Sequence, residues 1–228
     1  MISTPYIVAV IATLAAFANA ATNYCNLKSC NGPNHTICKY GFLNVNQKNC
    51  GTPQSTGFTG NEIQEILDSH NSYRARVGSG QEPLGKPGPQ PAATDLGSLS
   101  WDQELANIAQ SWADQCAYGH DQCRNSERFP VGQNVAWQGS TGDYSGKYAD
   151  LVSAWYSEVK DFNRNQVRSV TSETFWALGH YTQMMWADTK LLGCGGVRYK
   201  DGQWYKTYLV CNYGPTGNWV GGQMYNPR

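Results

Sequence analysis

Eight cysteines in a chain of 228 residues constrain its fold more than any other feature. They are Cys25, Cys30, Cys38, Cys50, Cys116, Cys123, Cys194 and Cys211. An even count reads as a disulfide set formed in an oxidising compartment. The competing reading is a metal site, because Cys25, Cys30 and Cys38 lie near His35. No two cysteines have the Cys-x2-Cys spacing of many structural zinc sites, so pairing is the expectation. Counting alone leaves the connectivity open.

The N-terminus points to the same compartment. Ile7 to Phe17 is an apolar or small run, followed by the small-x-small triplet Ala18-Asn19-Ala20. The run is too short to span a bilayer, so residues 1–20 are expected to be a signal peptide. No later segment approaches the roughly 18 apolar residues of a membrane span. A secreted, extracellular chain without a membrane span is the expectation. Lys plus Arg and Asp plus Glu balance at 17 each. That leaves no basic surplus to displace counterions, so no nucleic-acid partner is expected.

Residues 21–59 hold four of the cysteines with many Asn and Gly and little apolar periodicity, which predicts an irregular arm ordered by cross-links. Within it Asn34-His35-Thr36 is a glycosylation sequon, whose use the sequence leaves open. From residue 60 the pattern becomes that of a packed body. Ile63, Ile66, Leu67, His70, Tyr73, Arg74 and Val77 follow helical spacing, with Gly78 and Gly80 as stops. Gln81 to Ala92, rich in Pro and Gly, reads as a surface loop. Ser100-Trp101-Asp102-Gln103 has the form of a capping box. It predicts a helix that buries Leu105, Ile108, Ala109 and Trp112 and ends near Cys116. A third helix is expected over 150–160, with Leu151, Ala154, Trp155 and Val159 on one face. Trp101, Trp112 and Trp155 suit helix faces packed against a sheet.

Asn134 to Trp137 reads as a short strand. Gly193 to Tyr199 and Tyr205 to Tyr213 flank a hairpin signal at Asp201-Gly202-Gln203. A type II′ turn with Gly202 at its first central position makes cross-strand partners sum to 405, since 202 + 203 = 405. Cys194 and Cys211 have the same sum, so they are expected opposite one another and within reach of a disulfide. The body is expected to be a single α+β domain.

Two segments carry a family resemblance. Gly179-His180-Tyr181-Thr182-Gln183-Met184-Met185-Trp186 resembles one signature of the CAP superfamily (cysteine-rich secretory proteins, antigen 5 and pathogenesis-related class 1 proteins). Tyr208-Leu209-Val210-Cys211-Asn212-Tyr213-Gly214-Pro215-Thr216-Gly217-Asn218-Trp219 resembles the second. His70-Asn71, Gly132-Gln133-Asn134 and Trp155 with Glu158 add to the match. Asn23-Tyr24-Cys25-Asn26 and the cysteine arm narrow it to the venom allergen 5 group of stinging insects. The resemblance covers essentially the whole chain after residue 20. It implies a three-layer α-β-α sandwich, helices on both faces of a small antiparallel sheet, with residues 60–228 as the CAP domain. It also implies the pairs Cys25–Cys38, Cys30–Cys123, Cys50–Cys116 and Cys194–Cys211, the last in agreement with the hairpin register.

By motif position the family's cleft of two histidines and two glutamates corresponds here to His120, Gln133, Glu158 and His180. The first glutamate is therefore a glutamine. His120, His180 and Glu158 with water could hold a divalent ion such as zinc, more weakly for the missing negative charge. Glutamine exchanges no proton, which removes half of an acid/base pair, and no nucleophile-elbow motif is present. Catalysis is not expected, and no cofactor beyond a weakly held metal. Tyr181, Met184, Met185 and Trp186 are expected to be packing residues rather than a ligand pocket.

The leading expectation is a secreted, non-enzymatic, venom allergen-like monomer. It would meet an unidentified host target and, by family likeness, the antibodies of sensitised hosts. The alternatives are a lipid or sterol carrier, using a groove between helices, and a metal-dependent hydrolase using the His/Glu cleft.

Overall fold

The computed structural model describes residues 22–228, so the expected signal peptide lies outside the described residues. The arm is less irregular than its composition predicts. It forms 3-10 turns at Tyr24–Asn26 and Lys28–Cys30, then short helices α1 (Thr36–Tyr40) and α2 (Gln47–Cys50) and a two-residue strand β1 (Ser55–Thr56). The four pairs are Cys25–Cys38, Cys30–Cys123, Cys50–Cys116 and Cys194–Cys211, with no free cysteine among the described residues. One links the arm to itself and two fasten it to the segment after the helix that carries Trp112. Of the sequon, Asn34 is half-buried, while Thr36 is buried and its hydroxyl donates to Asp121.

Helix α3 (Gly60–Gly78) matches the predicted spacing and opens with a capping box: Thr59 Oγ1 accepts from Glu62 N, and Glu62 answers on Thr59 N. The capping box expected at Ser100 is not formed. Ser100–Trp101 is a short strand, β2, and the N-cap of α4 (Gln103–Ala113) is Asp102, whose carboxylate accepts from Leu105 N at 2.9 Å. Trp101 therefore lies on a strand, not a helix face. Residues 132–140 form β3 (Gly132–Ser140), longer than predicted. Helix α5 (Tyr148–Tyr156) tightens into a 3-10 segment at Ser157–Asp161. The buried stripe is Tyr148, Leu151, Val152, Trp155, Tyr156 and Val159, so Val159 faces inward as expected while Ala154 falls on the opposite side and is exposed. Helix α6 (Ser172–Met184) precedes β4 (Leu191–Asp201) and β5 (Trp204–Gly214).

The sheet runs β1-β4-β5-β3, with β2 also on the outer edge of β4. All pairings are antiparallel except β2 with β4, a small departure from the expected antiparallel sheet. Cys194 faces Cys211 and Asp201 faces Trp204, the register the turn arithmetic predicts, and Gly202 has φ +58°.

Layering follows from side-chain alternation along β4 and β5. Leu192, Cys194, Leu209, Cys211 and Tyr213 point into one core with α3, α5 and α6; Val197, Tyr199, Tyr208 and Val210 meet α4 on the other face. Helix α4 lies on the sheet because β4 has no side chains at Gly193 and Gly195. A Cβ there would stand 2.2 Å from Ala106 N or 2.3 Å from Gln110 N. Helix α1 packs on α4 in turn, so the arm covers this layer. The α-β-α sandwich is the observed fold. No described helix is long and apolar enough to cross a membrane.

Two buried polar side chains tie α3 to the opposite end of the chain. Arg74, 1 % exposed, donates to the carbonyls of Gly97, Met184 and Trp186 at 2.6–2.9 Å and reaches Thr189 O at 3.4 Å. Burial pulls its pKa down to about 10, so it stays charged at neutral pH. His70, fully buried, holds Ile66 O through Nδ1 and the Tyr213 hydroxyl through Nε2, both at 2.8 Å. The predicted surface loop 81–92 also carries a buried acid, Glu82, paired with Arg76 at 2.9 Å and the Tyr156 hydroxyl.

Candidate functional site

His120, Gln133, Glu158 and His180 all line one cavity of about 550 Å³, open to solvent between α6, β3 and the segment after β5. They meet as two pairs rather than as a ring. His120 Nδ1 lies 3.0 Å from Gln133 Oε1, and His180 Nδ1 lies 2.6 Å from Glu158 Oε1.

Each position has a local cause. His120 follows Gly119, whose carbonyl accepts from the Trp112 indole of α4 at 2.8 Å. On its other side Asp121 accepts from Thr36 of the arm and from Arg124. Gln133 sits near the start of β3, and its Nε2 donates to Asn212 Oδ1 on β5 at 3.1 Å, which leaves Oε1 turned to His120. Glu158 belongs to the 3-10 segment after α5. Its second oxygen accepts from Tyr181 N at 3.0 Å, so the carboxylate receives both a helix amide and an imidazole. Helix α6 is kinked at Leu178 (φ −135°, ψ 28°). Just beyond it Asn218 Nδ2 donates to Gly179 O at 2.8 Å, while Asn218 Oδ1 accepts from Thr182 at 2.7 Å. The loop that carries Trp219 is thereby pinned to the helix that carries His180.

These bonds decide the tautomers. Carboxylate and amide oxygens only accept, so both imidazoles carry a proton on Nδ1, and in the neutral ring Nε2 is then the lone-pair atom. Burial holds His120 below the usual histidine pKa, and its hydrogen bond to Gln133 offsets only part of that. His180 stacks on Trp155 at 5.9 Å between ring centroids. Asn134, next to Gln133, donates to His180 O and to Tyr213 Oη, both at 3.1 Å. The cleft is therefore joined to buried His70 through Asn134 and Tyr213.

The residues fit a two-histidine metal site better than a three-ligand one. Both oxygens of Glu158 are taken, and among the described residues no three His, Cys, Asp or Glu side chains are placed to share an ion. Zinc here would rest on His120 Nε2 and His180 Nε2 with water, Glu158 orienting its histidine from behind. Among the described residues neither Nε2 receives a Ser, Thr or Cys proton, so no nucleophile–base pair is formed. Tyr181, Met184, Met185 and Trp186 are buried packing residues, as their spacing predicts. Asn134 and Trp219 stood in the matched segments with no role in the cleft assigned to them, and Trp176 was not singled out. Only their place within or beside the signature segments marked them.

The joined network makes stability pH-dependent in a definite direction. Burial, with Arg74 adding to it, depresses the His70 pKa from 6.5 to about 4. The unfolded chain thus binds a proton in that window that the folded chain refuses. Stability from this group is complete above about pH 6.5 and is lost as pH falls toward 4. Unfolding by urea at pH 7 and pH 4.5 is expected to show wild type losing about 2–3 kcal/mol more than His70→Gln between the two.

A family model described as the cysteine-rich secretory protein family (CAP) matches residues 67–213. The chain is 49% identical over 208 residues to venom allergen 3 homolog of Dinoponera quadriceps, covering 90% of each chain. It is 47% identical to venom allergen 5 of Vespula pensylvanica, covering 90% of this chain and 100% of that one. Among solved structures it resembles NaASP2, crystallised with Zn2+, at 30% identity and a TM-score of 0.64, covering 78% of this chain and 91% of that one.

Proposed function

The chain belongs to the cysteine-rich secretory protein (CAP) family, with venom allergens as relatives, and from that premise we propose that it is a secreted, non-enzymatic venom protein acting through what it binds. The observation that carries this reading is the state of the cleft. The one carboxylate among the described residues lining it, Glu158, accepts hydrogen bonds from His180 and Tyr181, and Gln133 stands where a second acid would be needed. A general acid/base mechanism needs two groups that exchange protons near neutral pH. The cleft instead offers two fixed lone pairs, which suit a ligand or a loosely held zinc ion. The zinc-bound state of NaASP2 favours that metal.

The test is turnover. A peptide and ester substrate library incubated with the purified protein is expected to give no product above background, with wild type, His120→Ala and Glu158→Ala indistinguishable. Turnover by the wild type that disappears in both variants would replace this reading with a hydrolase.

One further observation favours a carrier as second reading. An apolar groove of about 490 Å³ runs along α4, lined by Phe42, Leu43, Phe58, Ile63 and Trp101. An apolar chain would fill the groove. Mass spectrometry of an organic extract of the native protein, finding stoichiometric lipid, is the result that would establish this reading.

A further inference from the structure

The cleft has two aromatic walls that metal binding leaves unexplained. Trp176, on the N-terminal part of α6, is 80 % exposed, and Trp219, on the loop after β5, is 57 % exposed; both line the same cavity as His120 and His180. Largely exposed indoles are uncommon, because each leaves a large apolar surface in water. The segments that carry them are also tied together. Asn218, which precedes Trp219, bonds to Gly179 and Thr182 of α6, so the two walls belong to one pinned unit. Gly217 lies flat on Trp186, where a Cβ would come within 2.5 Å of the ring.

The charges of the cleft are already used. Arg124 is bonded to Asp121 and Glu158 to His180, so neither a free cation nor a free anion faces the cavity from these groups. What remains is two imidazole Nε2 acceptors, which require donors from a ligand, and two flat apolar faces. Sulfate and carboxylate groups offer no donor to an acceptor; sugar hydroxyls do, and pyranose C–H faces stack on indoles. The volume of about 550 Å³ lies in the range of small-molecule sites and admits a short chain of rings.

We propose that this cleft binds an uncharged oligosaccharide, with sugar rings stacked on Trp176 and Trp219 and hydroxyls donating to His120 Nε2 and His180 Nε2. This rests on the cleft being a binding site, and it names the ligand class. Chitohexaose, maltohexaose and mannohexaose, with a sulfated hexasaccharide as comparator, are titrated by calorimetry. At least one uncharged hexamer is expected to bind at submillimolar concentration. Trp176→Ala and Trp219→Ala are each expected to weaken that binding at least tenfold. Both side chains are exposed, so the variants are expected to keep the wild-type Tm. No binding of any uncharged hexamer at millimolar concentration overturns the proposal. So does binding that both variants retain, or binding of the sulfated hexamer alone. Products of the same incubations separate the two readings. Shortened oligosaccharide would refute the non-enzymatic function while leaving the ligand class standing, whereas absence of binding refutes only the ligand class.

Discussion

Arg74→Met is expected to lower the unfolding free energy by about 3–5 kcal/mol, the largest effect of any single side chain here. Among the described residues Arg74 has no carboxylate partner. It is a buried cation spread over four carbonyls, those of Gly97, Met184, Trp186 and Thr189. Two effects compete in the substitution. Removing a buried charge relieves desolvation, which favours methionine. Leaving four buried acceptors without a donor costs about 1–3 kcal/mol for each that water cannot reach. With the site 1 % exposed, the second effect wins. Arg74→Lys keeps the charge but gives a single point of donors in place of a planar fork, and an intermediate loss is expected. Met184 and Trp186 close the helix that presents His180, so the loss of stability should bring weaker ligand binding in the cleft. Denaturant unfolding with the disulfides intact measures the first effect, and a loss below about 1 kcal/mol for Arg74→Met would show that the carbonyls find other partners.

The second large effect belongs to sulfur. The Cys30–Cys123 bond spans 93 residues, the longest separation among the four. In the chain-entropy model, closing a loop of that size stabilises the fold by roughly 4–5 kcal/mol. Replacing both cysteines by alanine is expected to lower Tm by roughly 10–15 °C for a chain of this length. The change should also reach the cleft. Thr36 N donates to Cys123 O at 2.8 Å, His35 meets Asn125 O at 3.0 Å and Thr36 donates to Asp121, so the arm holds the segment that carries His120. Loss of His120 order, seen as broadening of its imidazole resonances while those of His70 stay sharp, is the accompanying result. An unchanged Tm would mean that the hydrogen bonds alone seat the arm.

Local pattern carried much of this fold. The turn at Gly202-Gln203 determined the β4–β5 register and, with it, one disulfide, because a two-residue hairpin leaves no freedom in which residues face each other. Helices α3 and α4 were legible from apolar spacing. Ser100 was misread because its strand state depends on an edge of β4 some ninety residues away, and at that range the Asp102 cap is the better local signal. Ala154 was misread because the buried stripe of α5 is centred on Val152 and Trp155 with Tyr148 and Tyr156 beside them, which puts Ala154 on the opposite side. The cleft residues were reached through family likeness, but their partners were not. That Glu158 spends both oxygens on His180 and Tyr181 follows from a helix kink at Leu178, which is a tertiary fact. The roles of His70 and Arg74 were hidden for the same reason. Their spacing put them on the buried face of α3, while every partner but Ile66 lies well outside that helix.

The central claim is that the cleft presents two imidazole Nε2 atoms, each fixed from behind by Gln133 or Glu158, and that the glutamine sets how weakly it holds a cation. Calorimetric titration with zinc at pH 7 measures this on wild type, His180→Ala and Gln133→Glu. Weak binding by wild type, none by His180→Ala and at least tenfold tighter binding by Gln133→Glu is the predicted result. Equal heats from wild type and His180→Ala, or no gain from the added carboxylate, would contradict it.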